Sequence, residues 1–590
     1  MFVTALLGCD FTTTMPPSAL EQALKVAEAK AANKKKDKAK PPSNALIFES
    51  FKVTPNLREV IYTCTHDAAS YSISVRFHEA MPKAWATAPP TGVLLGLGMA
   101  VISHVWTGFC TPQIIVRAGH LTKEEVQFWR DAYTFGLAEH FLINQIETLG
   151  GSNGLGGSNG LAVEIIVEAP PPGEQSTPPP SPPTTDNPSQ VRCLVPLGGG
   201  KDSATVLEMV KAAGVEAVVP FFLSDPAGEF ASCWRYSALC ELCNSDPVLI
   251  ADFDWPTPNW RAHQNARRTT PNGSKWDDSA RLWAALVAFA SALAALMRGC
   301  QYVAVGNERS ANLGNGVSWG GIPINHQHDK SHLFEVACHK YLLECGGPYF
   351  FSALQPFWDI QVVELFSRLG RKYVPYILSC NEPLDPDSSR WCARCEKCAF
   401  VYALLAAFLP SPQEAWAVFG EDMLQLPSCH ARFEELIGSR GQTRLPDGRM
   451  LPGREALMRL ISSKQGGIEG RMLRYLDGHQ LLKPLDCVGT QEEAKLALYL
   501  AERSREAWAV KTKEEEGGAP GPPRFFKSAV WIKARKAVQK ELPNGFAARL
   551  LDEFNEEHLL PSWFEPLVRE MHSNRRVSGE ALEAACTPCE

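Results

Sequence analysis

The order of apolar and polar positions predicts alternating strands and helices over residues 190–410. Short apolar runs such as 192–197 and 217–223 have the length of buried strands. The stretches between them have helical spacing, and the most apolar of these runs from Leu282 to Met297. Strands that alternate with helices in this way predict an α/β fold with a doubly wound parallel sheet.

A different pattern precedes this region and predicts a small α+β lobe over residues 44–149. Residues 47–80 alternate between apolar and polar positions, which predicts two or three antiparallel strands. Residues 122–146 then follow a helical period, and Thr122 is in the position of an N-cap. We therefore expect this lobe to be a unit separate from the parallel sheet.

Changes of composition divide the rest of the chain. We predict a flexible lysine-rich tail over 1–43, a low-complexity Gly/Pro-rich linker over 150–189, a mostly helical C-terminal domain over 411–510, and a linker with a helical extension over 511–590. The proline-rich part of the first linker is also a candidate ligand for a partner protein module.

Length and charge narrow the class of protein. A chain of 590 residues is long enough for several domains, and a net charge of −7 gives no indication of nucleic-acid binding. The run from Leu282 to Met297 is shorter than the roughly 18 residues of a membrane span, so we predict a buried core helix there and no membrane span. The 18 cysteines are mostly scattered, which favours a reducing compartment. We expect a cytoplasmic protein, with a plastid or another organelle as the alternative.

The first candidate site is the sequence GGGKDS, residues 198–203, between a predicted strand and a predicted helix. The P-loop pattern fails at Val195 and Asp202, and the dinucleotide pattern fails at Ser203. Glycines at Gly198, Gly199 and Gly200 allow backbone N–H groups to surround an anion, and the start of a helix favours negative charge. Lys201 adds a cation, and Asp202 is able to orient the loop or position magnesium.

This loop resembles the S-G-G-x-D-S signature of the ATP pyrophosphatase (PP-loop) superfamily, with Gly198 where serine is usual. The resemblance implies that ATP binds here with Mg²⁺ and is cleaved between its α and β phosphates. The alternative is a glycine turn that holds no ligand.

The second candidate site is a group of cysteines with the spacing of metal ligands. Two overlapping C-x2-C pairs and one earlier cysteine offer four thiolates to one tetrahedral zinc ion: Cys380, Cys392, Cys395 and Cys398. The segment resembles the zinc knuckle of 7-cyano-7-deazaguanine synthase, a PP-loop enzyme. Core thiols without a metal and an iron–sulfur cluster are the alternatives.

The third candidate site is a polar stretch that follows the predicted strand 302–305. Ligands of open α/β sheets bind at the carboxyl ends of strands, so we predict a pocket for a large polar substrate here. The candidate substrate-binding residues are Asn307, Glu308, Arg309, Asn312 and Asn325. A solvated surface loop is the alternative.

Together these motifs resemble the UDP-N-acetylmuramoyl-L-alanyl-L-glutamate epimerase (MurL) family. The resemblance covers residues 44–149 and 190–505 and includes "VPLGGGKDS", "GNERSANLGN", "NHQHDKSHLFE" and the cysteine segment. It implies an enzyme that hydrolyses ATP to AMP and diphosphate and converts the terminal L-glutamate of a UDP-linked muramoyl dipeptide to D-glutamate for peptidoglycan. The implied substrate is a small molecule, and the implied intermediate is an acyl-adenylate.

Such a reaction needs a base that removes the Cα proton of the activated glutamate. We predict that the base is among His326, His328 and Lys330, because histidine titrates near neutrality and burial lowers the pKa of lysine. Asp202 is the other candidate catalytic residue. Two alternative functions stay open, namely a nucleobase-modifying ligase resembling 7-cyano-7-deazaguanine synthase and a non-catalytic zinc-stapled nucleotide-binding protein.

Overall fold

The computed structural model is a mixed α/β fold in which helices surround a ten-stranded sheet. It describes residues 45–67, 69–144, 146–149, 160–171, 182, 184–224, 234–243, 248–254, 281–314, 318–380, 391–437, 490–516 and 521–584. The predicted tail over 1–43 and parts of the predicted linker over 150–189 lie outside these residues.

The strands are β1 (Ala45–Val53), β2 (Glu59–His66), β3 (Ala69–Phe77), β4 (Gln113–Val116), β5 (Glu164–Val167), β6 (Arg192–Pro196), β7 (Ala217–Ser224), β8 (Leu249–Asp254), β9 (Tyr302–Val305), β10 (Ser318–Trp319), β11 (Ile322–Pro323) and β12 (Tyr349–Ser352). The first helices are α1 (Thr91–Trp106), α2 (Lys123–Phe135), α3 (Ala138–Ile143), α4 (Lys201–Ala212), α5 (Trp234–Cys243), α6 (Trp283–Arg298), α7 (His332–Glu344) and α8 (Asp359–Leu369). The later helices are α9 (Glu396–Phe408), α10 (Pro412–Phe419), α11 (Pro427–Leu436), α12 (Gln491–Glu516), α13 (Ala529–Glu541), α14 (Phe546–Leu551), α15 (Glu565–Ser573) and α16 (Gly579–Ala584).

Five strands of the sheet are parallel and lie in the order β8-β7-β6-β9-β12. Numbered along this part of the chain, that is the order 3-2-1-4-5 of a doubly wound sheet. The direction of winding reverses between β6 and β9, and ligands of such sheets bind in the crevice at this point. The predicted parallel sheet is therefore confirmed for this half of the molecule, and its topology directs attention to the loops after β6 and β9.

The other five strands extend the same sheet, which makes it mixed. Strand β3 pairs antiparallel with β8, with Val75 opposite Phe253. Strands β1, β2 and β3 are antiparallel, as the alternating pattern predicts, while β4 and β5 add in parallel beyond β1. The strands of the predicted lobe thus continue the parallel sheet, and β5 lies within the segment predicted as linker.

Side chains of the sheet face two hydrophobic cores, one on each side. In β6, Cys193 and Val195 point to the core that includes α4, α8 and α9, while Leu194 points to the opposite core. The opposite core holds α6, the predicted apolar helix, packed against α1. Strands buried on both faces explain why the apolar runs of this region are continuous.

Local end signals agree with the helix boundaries. Thr122 and Glu125 form a reciprocal capping box at the start of α2, which confirms the predicted N-cap. Helix α6 is buried through its middle, and within the described residues no helix is long and apolar enough to cross a membrane. Helices α10 to α16 continue the chain after the sheet, and buried residues such as Trp531 and Phe564 join the extension to the core.

Candidate functional site

The glycine loop joins β6 to α4 at the reversal point of the sheet. Gly199 has a φ of +76°, a conformation that glycine adopts without steric cost, and Gly200 is the N-cap of α4. At Gly198, by contrast, an added Cβ would meet no atom within 4 Å. The loop after β9 also approaches the start of α4, because a Cβ added at Gly306 would lie 3.2 Å from the carbonyl carbon of Asp202. The loops after β6 and β9 therefore meet at the first turn of α4.

Lys201 lies at the centre of a buried charged cluster. Its Nζ atom donates to Oδ1 of Asp202 and to Oδ1 of Asp359, each at 2.5 Å. Burial by itself would lower the pKa of Lys201, but the carboxylates of Asp202, Asp359 and Glu308 outweigh it and raise this pKa. The lysine is therefore a permanent cation, held 5% exposed beside the glycine loop.

The carboxyl groups of the cluster are unequal. Burial, followed by the charges of Asp359 and Asp202, raises the pKa of Glu308 to about 7, although Lys201 and Lys330 oppose the shift. Burial also raises the pKa of Asp359, although Lys201 opposes this shift. Asp202 is the most accessible of the carboxylates paired with Lys201, with 34% of its side chain exposed. The cluster thus combines a fixed cation, an accessible carboxylate and a carboxyl group that titrates near neutrality.

A further acidic residue, Glu493, supports this cluster from helix α12. Its carboxylate accepts hydrogen bonds from the backbone N–H of Ile360 at 3.1 Å and from the hydroxyl of Ser310 at 3.1 Å. The Ser310 hydroxyl in turn accepts from the N–H of Asp359 at 3.2 Å. These contacts satisfy N–H groups that the start of a helix leaves unpaired. They fix the position of Asp359 at the beginning of α8.

The three candidate bases occupy different surroundings. Burial, Lys330 and Lys397 lower the pKa of His326 to about 3, and Lys330 also acts on Glu308. His328 instead lies between the rings of Phe135 and Phe334, with centroid distances of 5.7 and 6.4 Å. Burial lowers the pKa of His328 to about 4, which only Asp131 offsets. Lys330 therefore acts on Glu308 of the charged cluster, whereas His328 packs against Phe135 of α2.

The predicted substrate-binding residues divide into two kinds. Asn312 donates to Oε1 of Gln355 at 3.0 Å and accepts from the N–H of His332 at 2.6 Å, and these bonds use both ends of its amide. Asn325 is used in the same way, by the carbonyl of Ala311 and the N–H of Gln327. These two asparagines hold the loop together. Their part in substrate binding stays a prediction, because each side-chain amide has a second N–H donor and a second acceptor lone pair.

The remaining candidates lie at the start of this loop. The backbone N–H of Asn307 donates to the hydroxyl of Ser352 at 2.9 Å, which ties the end of β9 to the end of β12. The guanidinium of Arg309 lies over the ring of Trp358, 4.4 Å from its centroid, and pairs with Glu553 at 3.0 Å. In the glycine loop, the hydroxyl of Ser203 donates to the carbonyl of Gly200 at 3.3 Å.

The four predicted metal ligands converge. The sulfur atoms of Cys380, Cys392, Cys395 and Cys398 all lie within 4.8 Å of one another, and four of the six separations are between 3.4 and 4.0 Å. A tetrahedral site with Zn–S bonds of about 2.3 Å would place sulfurs about 3.8 Å apart, so the arrangement fits zinc. Backbone N–H groups of the last three cysteines also point at cysteine sulfurs, as in sites that orient thiolate ligands.

This cysteine cluster is attached directly to the glycine loop. The N–H of Leu378, two residues before Cys380, donates to the carbonyl of Gly199 at 2.9 Å. Helix α9 begins at the cluster and carries Lys397, whose charge acts on His326 and Asp359. The cysteine cluster therefore supports the glycine loop and the charged cluster around Lys201 from one side.

A glycine loop and a charged cluster at the reversal point of a doubly wound sheet define an α/β protein whose candidate ligand site lies at the carboxyl ends of the strands. Comparison with protein families narrows the class of protein further. The model of the MurL N-terminal domain matches residues 38–240 and 283–352, and that of the MurL C-terminal domain matches 376–445. The chain belongs to the MurL family.

Curated relatives agree with this assignment. The chain is similar to UDP-N-acetyl-alpha-D-muramoyl-L-alanyl-L-glutamate epimerases, with 29% identity to that of a Micromonospora species over 71% of this chain and 77% of the relative. Identity is 28% to the Salinispora tropica enzyme, over 72% of this chain and 78% of the relative. It is also 28% to the Xanthomonas oryzae pv. oryzae enzyme, over 54% and 69% respectively.

Sequence reasoning missed several residues that build this site. Asp359 contacts Lys201, which is 158 residues away along the chain. Glu493 contacts Ile360, which is 133 residues away. One local signal for Asp359 was available, since it is an acidic residue that begins a helix after the last parallel strand. Glu553 has no comparable local signal, because it reaches Arg309 across 244 residues.

Proposed function

We propose that this protein is an ATP-dependent epimerase that converts the terminal L-glutamate of UDP-N-acetylmuramoyl-L-alanyl-L-glutamate to D-glutamate for peptidoglycan precursor synthesis. The observation that carries the proposal is the glycine loop beside Lys201 at the reversal point of the sheet, in a chain of the MurL family. The names of its relatives support the substrate.

The site has the groups that ATP binding needs. The N-terminus of α4 and the backbone of residues 198–200 favour phosphate oxygens, and Lys201 supplies a fixed positive charge. Magnesium prefers carboxylate oxygens and would neutralise phosphate charge when bound, and Asp202 is the residue that would hold it. These residues support the proposal that the protein binds a nucleotide without a P-loop motif.

Activation by ATP makes the inversion chemically accessible. The α-carboxylate of the terminal glutamate attacks the α-phosphorus of ATP, so that a new P–O bond forms and diphosphate leaves. Loss of the carboxylate charge makes the adjacent Cα–H more acidic, and a decrease of about ten pKa units is worth about 14 kcal/mol. A base then removes this proton, a proton returns on the opposite face, and water hydrolyses the acyl-adenylate to product and AMP.

The proton-abstracting base is proposed among His326, His328 and Lys330. The electrostatic effect of Lys330 on Glu308 supports Lys330 over His328, which packs against Phe135. Glu308 is an additional candidate, because its pKa of about 7 suits proton transfer at neutral pH. Solvent deuterium exchange into the glutamate Cα tests all four. The base is the residue whose replacement abolishes exchange while AMP formation continues.

A structural zinc ion is proposed at the four cysteines. Thiolates at these separations are typical of closed structural sites, in which the metal contributes to folding. Cys380, Cys392, Cys395 and Cys398 would hold the ion and so secure the segment that contacts the glycine loop.

The nucleotide site is tested by diphosphate release with the UDP-linked dipeptide as substrate. We expect Asp202→Asn to reduce the rate of diphosphate release at least a hundredfold, because the variant loses the carboxylate that would hold magnesium. The loss of stability should be small, because this side chain is 34% exposed. Gly199→Ala should impair the reaction because alanine is strained at a φ of +76°, whereas Gly214→Ala, at a φ of +67° in the turn after α4, is the matched control that carries the same strain outside the loop.

Two results would contradict the proposal. Equal diphosphate release by Asp202→Asn and the wild type would remove the nucleotide role of the loop. Diphosphate release with carboxydeazaguanine in place of the muramoyl dipeptide would instead indicate the nucleobase-modifying ligase.

A further inference from the structure

The C-terminal extension contacts the site through a short segment, residues 551–555, beyond the end of the family match at residue 445. The N–H of Asn555 donates to the carbonyl of Pro356 at 3.0 Å. The side chain of Gln361 donates to the carbonyls of Leu551 and Glu553, at 2.9 and 3.0 Å. The segment therefore covers the turn between β12 and α8, which carries Asp359.

The same segment reaches the loop after β9 through a single side chain. Oε1 of Glu553 accepts from Nη2 of Arg309 at 3.0 Å, while the guanidinium lies over Trp358. The backbone N–H of Arg309 donates to the carbonyl of Phe357 at 2.8 Å. Arg309 is thus fixed by two separate parts of the chain, the turn that carries Phe357 and Trp358 and the extension that carries Glu553, and its buried Nη1 has no hydrogen-bond partner among the described residues.

We infer that Glu553 is a positioning residue for Arg309, and that it orients the guanidinium to bind an anionic group of the substrate. An arginine stacked on an aromatic ring and paired on one edge presents its remaining donors in a fixed direction. The UDP-linked dipeptide carries phosphate and carboxylate oxygens, which match this donor geometry. This inference rests on the proposed function, because that function supplies the anionic substrate.

The exposure of the Glu553–Arg309 pair distinguishes a role in positioning Arg309 from a role in folding stability. The side chains of Glu553 and Arg309 are 41% and 21% exposed, and a pair of this kind contributes little to folding stability. Its effect should therefore appear in substrate binding. A structural role alone would lower the thermal stability and the activity together.

The test compares Glu553→Gln with Glu556→Gln, a control in the same extension whose exposed carboxylate pairs with Arg569 instead. We expect Glu553→Gln to raise KM for the UDP-linked dipeptide about three- to fivefold, with kcat and KM for ATP within twofold of wild type. The control should match the wild type. Equal KM values for the two variants would overturn the inference.

A double-mutant cycle shows whether Glu553 acts through Arg309. In an Arg309→Ala background, Glu553→Gln should change KM by less than 1.5-fold, because the group that it positions is gone. A threefold increase in that background would mean that Glu553 acts by another route and would contradict the inference.

Amide hydrogen exchange needs no enzymatic turnover, so it tests this inference independently of the proposed function. Glu553→Gln should accelerate amide hydrogen exchange in residues 307–312 and 355–361, and Glu556→Gln should leave it unchanged. If wild-type protein fails to epimerise the dipeptide while this exchange pattern holds, the proposed function is wrong and the positioning contact stands. Unchanged exchange in Glu553→Gln would contradict the contact itself.

Discussion

At the scale of single residues, Glu493 illustrates how a carboxyl group is used inside this fold. Its side chain is fully buried and accepts N–H donors from Ile360 and Thr490 together with the hydroxyl of Ser310. Burial, followed by the charge of Asp359, raises its pKa to about 7, although these hydrogen bonds oppose the shift. Glu493 therefore releases a proton on unfolding at mildly acidic pH, which couples stability to pH.

This coupling has a definite sign. A carboxyl group whose pKa rises from 4.5 to about 7 on folding contributes stability below pH 4.5 and loses it as the pH rises to about 7. The shift corresponds to about 3 kcal/mol. We expect the stability of Glu493→Gln relative to the wild type to increase by about this amount between pH 4.5 and pH 8.

Urea unfolding at both pH values measures this difference. Glu492→Gln is the matched control, since the neighbouring carboxylate is 49% exposed and pairs with Arg549. Parallel pH profiles for the wild type and Glu493→Gln would show that Glu493 keeps its ordinary pKa.

At the scale of elements, the cysteine segment and the glycine loop behave as one unit. The bond from the N–H of Leu378 to the carbonyl of Gly199 joins them, and a Cβ on Gly200 would lie 3.9 Å from that of Ser379. Any loss of order at the cysteines is thus transmitted to the backbone of the glycine loop.

Removal of a metal ligand tests this connection. We expect Cys395→Ser to lose one equivalent of zinc and to weaken ATP binding at least tenfold, because the loop loses its support on that side. Elemental analysis and calorimetric titration with ATP measure the two effects. Cys240→Ser, at a half-buried cysteine outside the cluster, should retain both properties. Wild-type protein purified without chelators and free of zinc would refute the assignment.

At the scale of the whole molecule, the sheet joins regions that the sequence predicts as separate. Strand β3 pairs with β8, and helices α1 and α6 pack over the same face of the sheet. Their contact is close at Gly96, where a Cβ would lie 2.4 Å from the ring of the buried Phe289. This packing requires glycine, because the core has no space for a methyl group there.

Substitution at this contact should destabilise the protein as a whole. We expect Gly96→Ala to lower the free energy of unfolding by about 1–3 kcal/mol, with a single transition, because both parts share the sheet. Thermal unfolding followed by circular dichroism measures the change. Thr91→Ala, at an exposed position of the same helix, is the control. Two separate transitions in Gly96→Ala would mean that the N-terminal strands unfold independently.

The sequence by itself determined the features that depend on neighbouring residues. The strand, glycine loop and helix around Lys201, the capping box at Thr122 and the four cysteines were all predictable, because each is encoded by spacing within a short segment. Four of the five parallel strands of residues 190–352 were predictable for the same reason, whereas β8 was not predicted.

Only the tertiary structure decided which distant groups meet. Asp359, Glu493 and Glu553 reach the site from other helices and from the extension, and β3 joins β8 across the predicted boundary. The directions of His326 and His328 were also undetermined, although both lie in the same short segment. Local periodicity specifies which face of an element is apolar, whereas the partner of that face depends on how all the elements pack together.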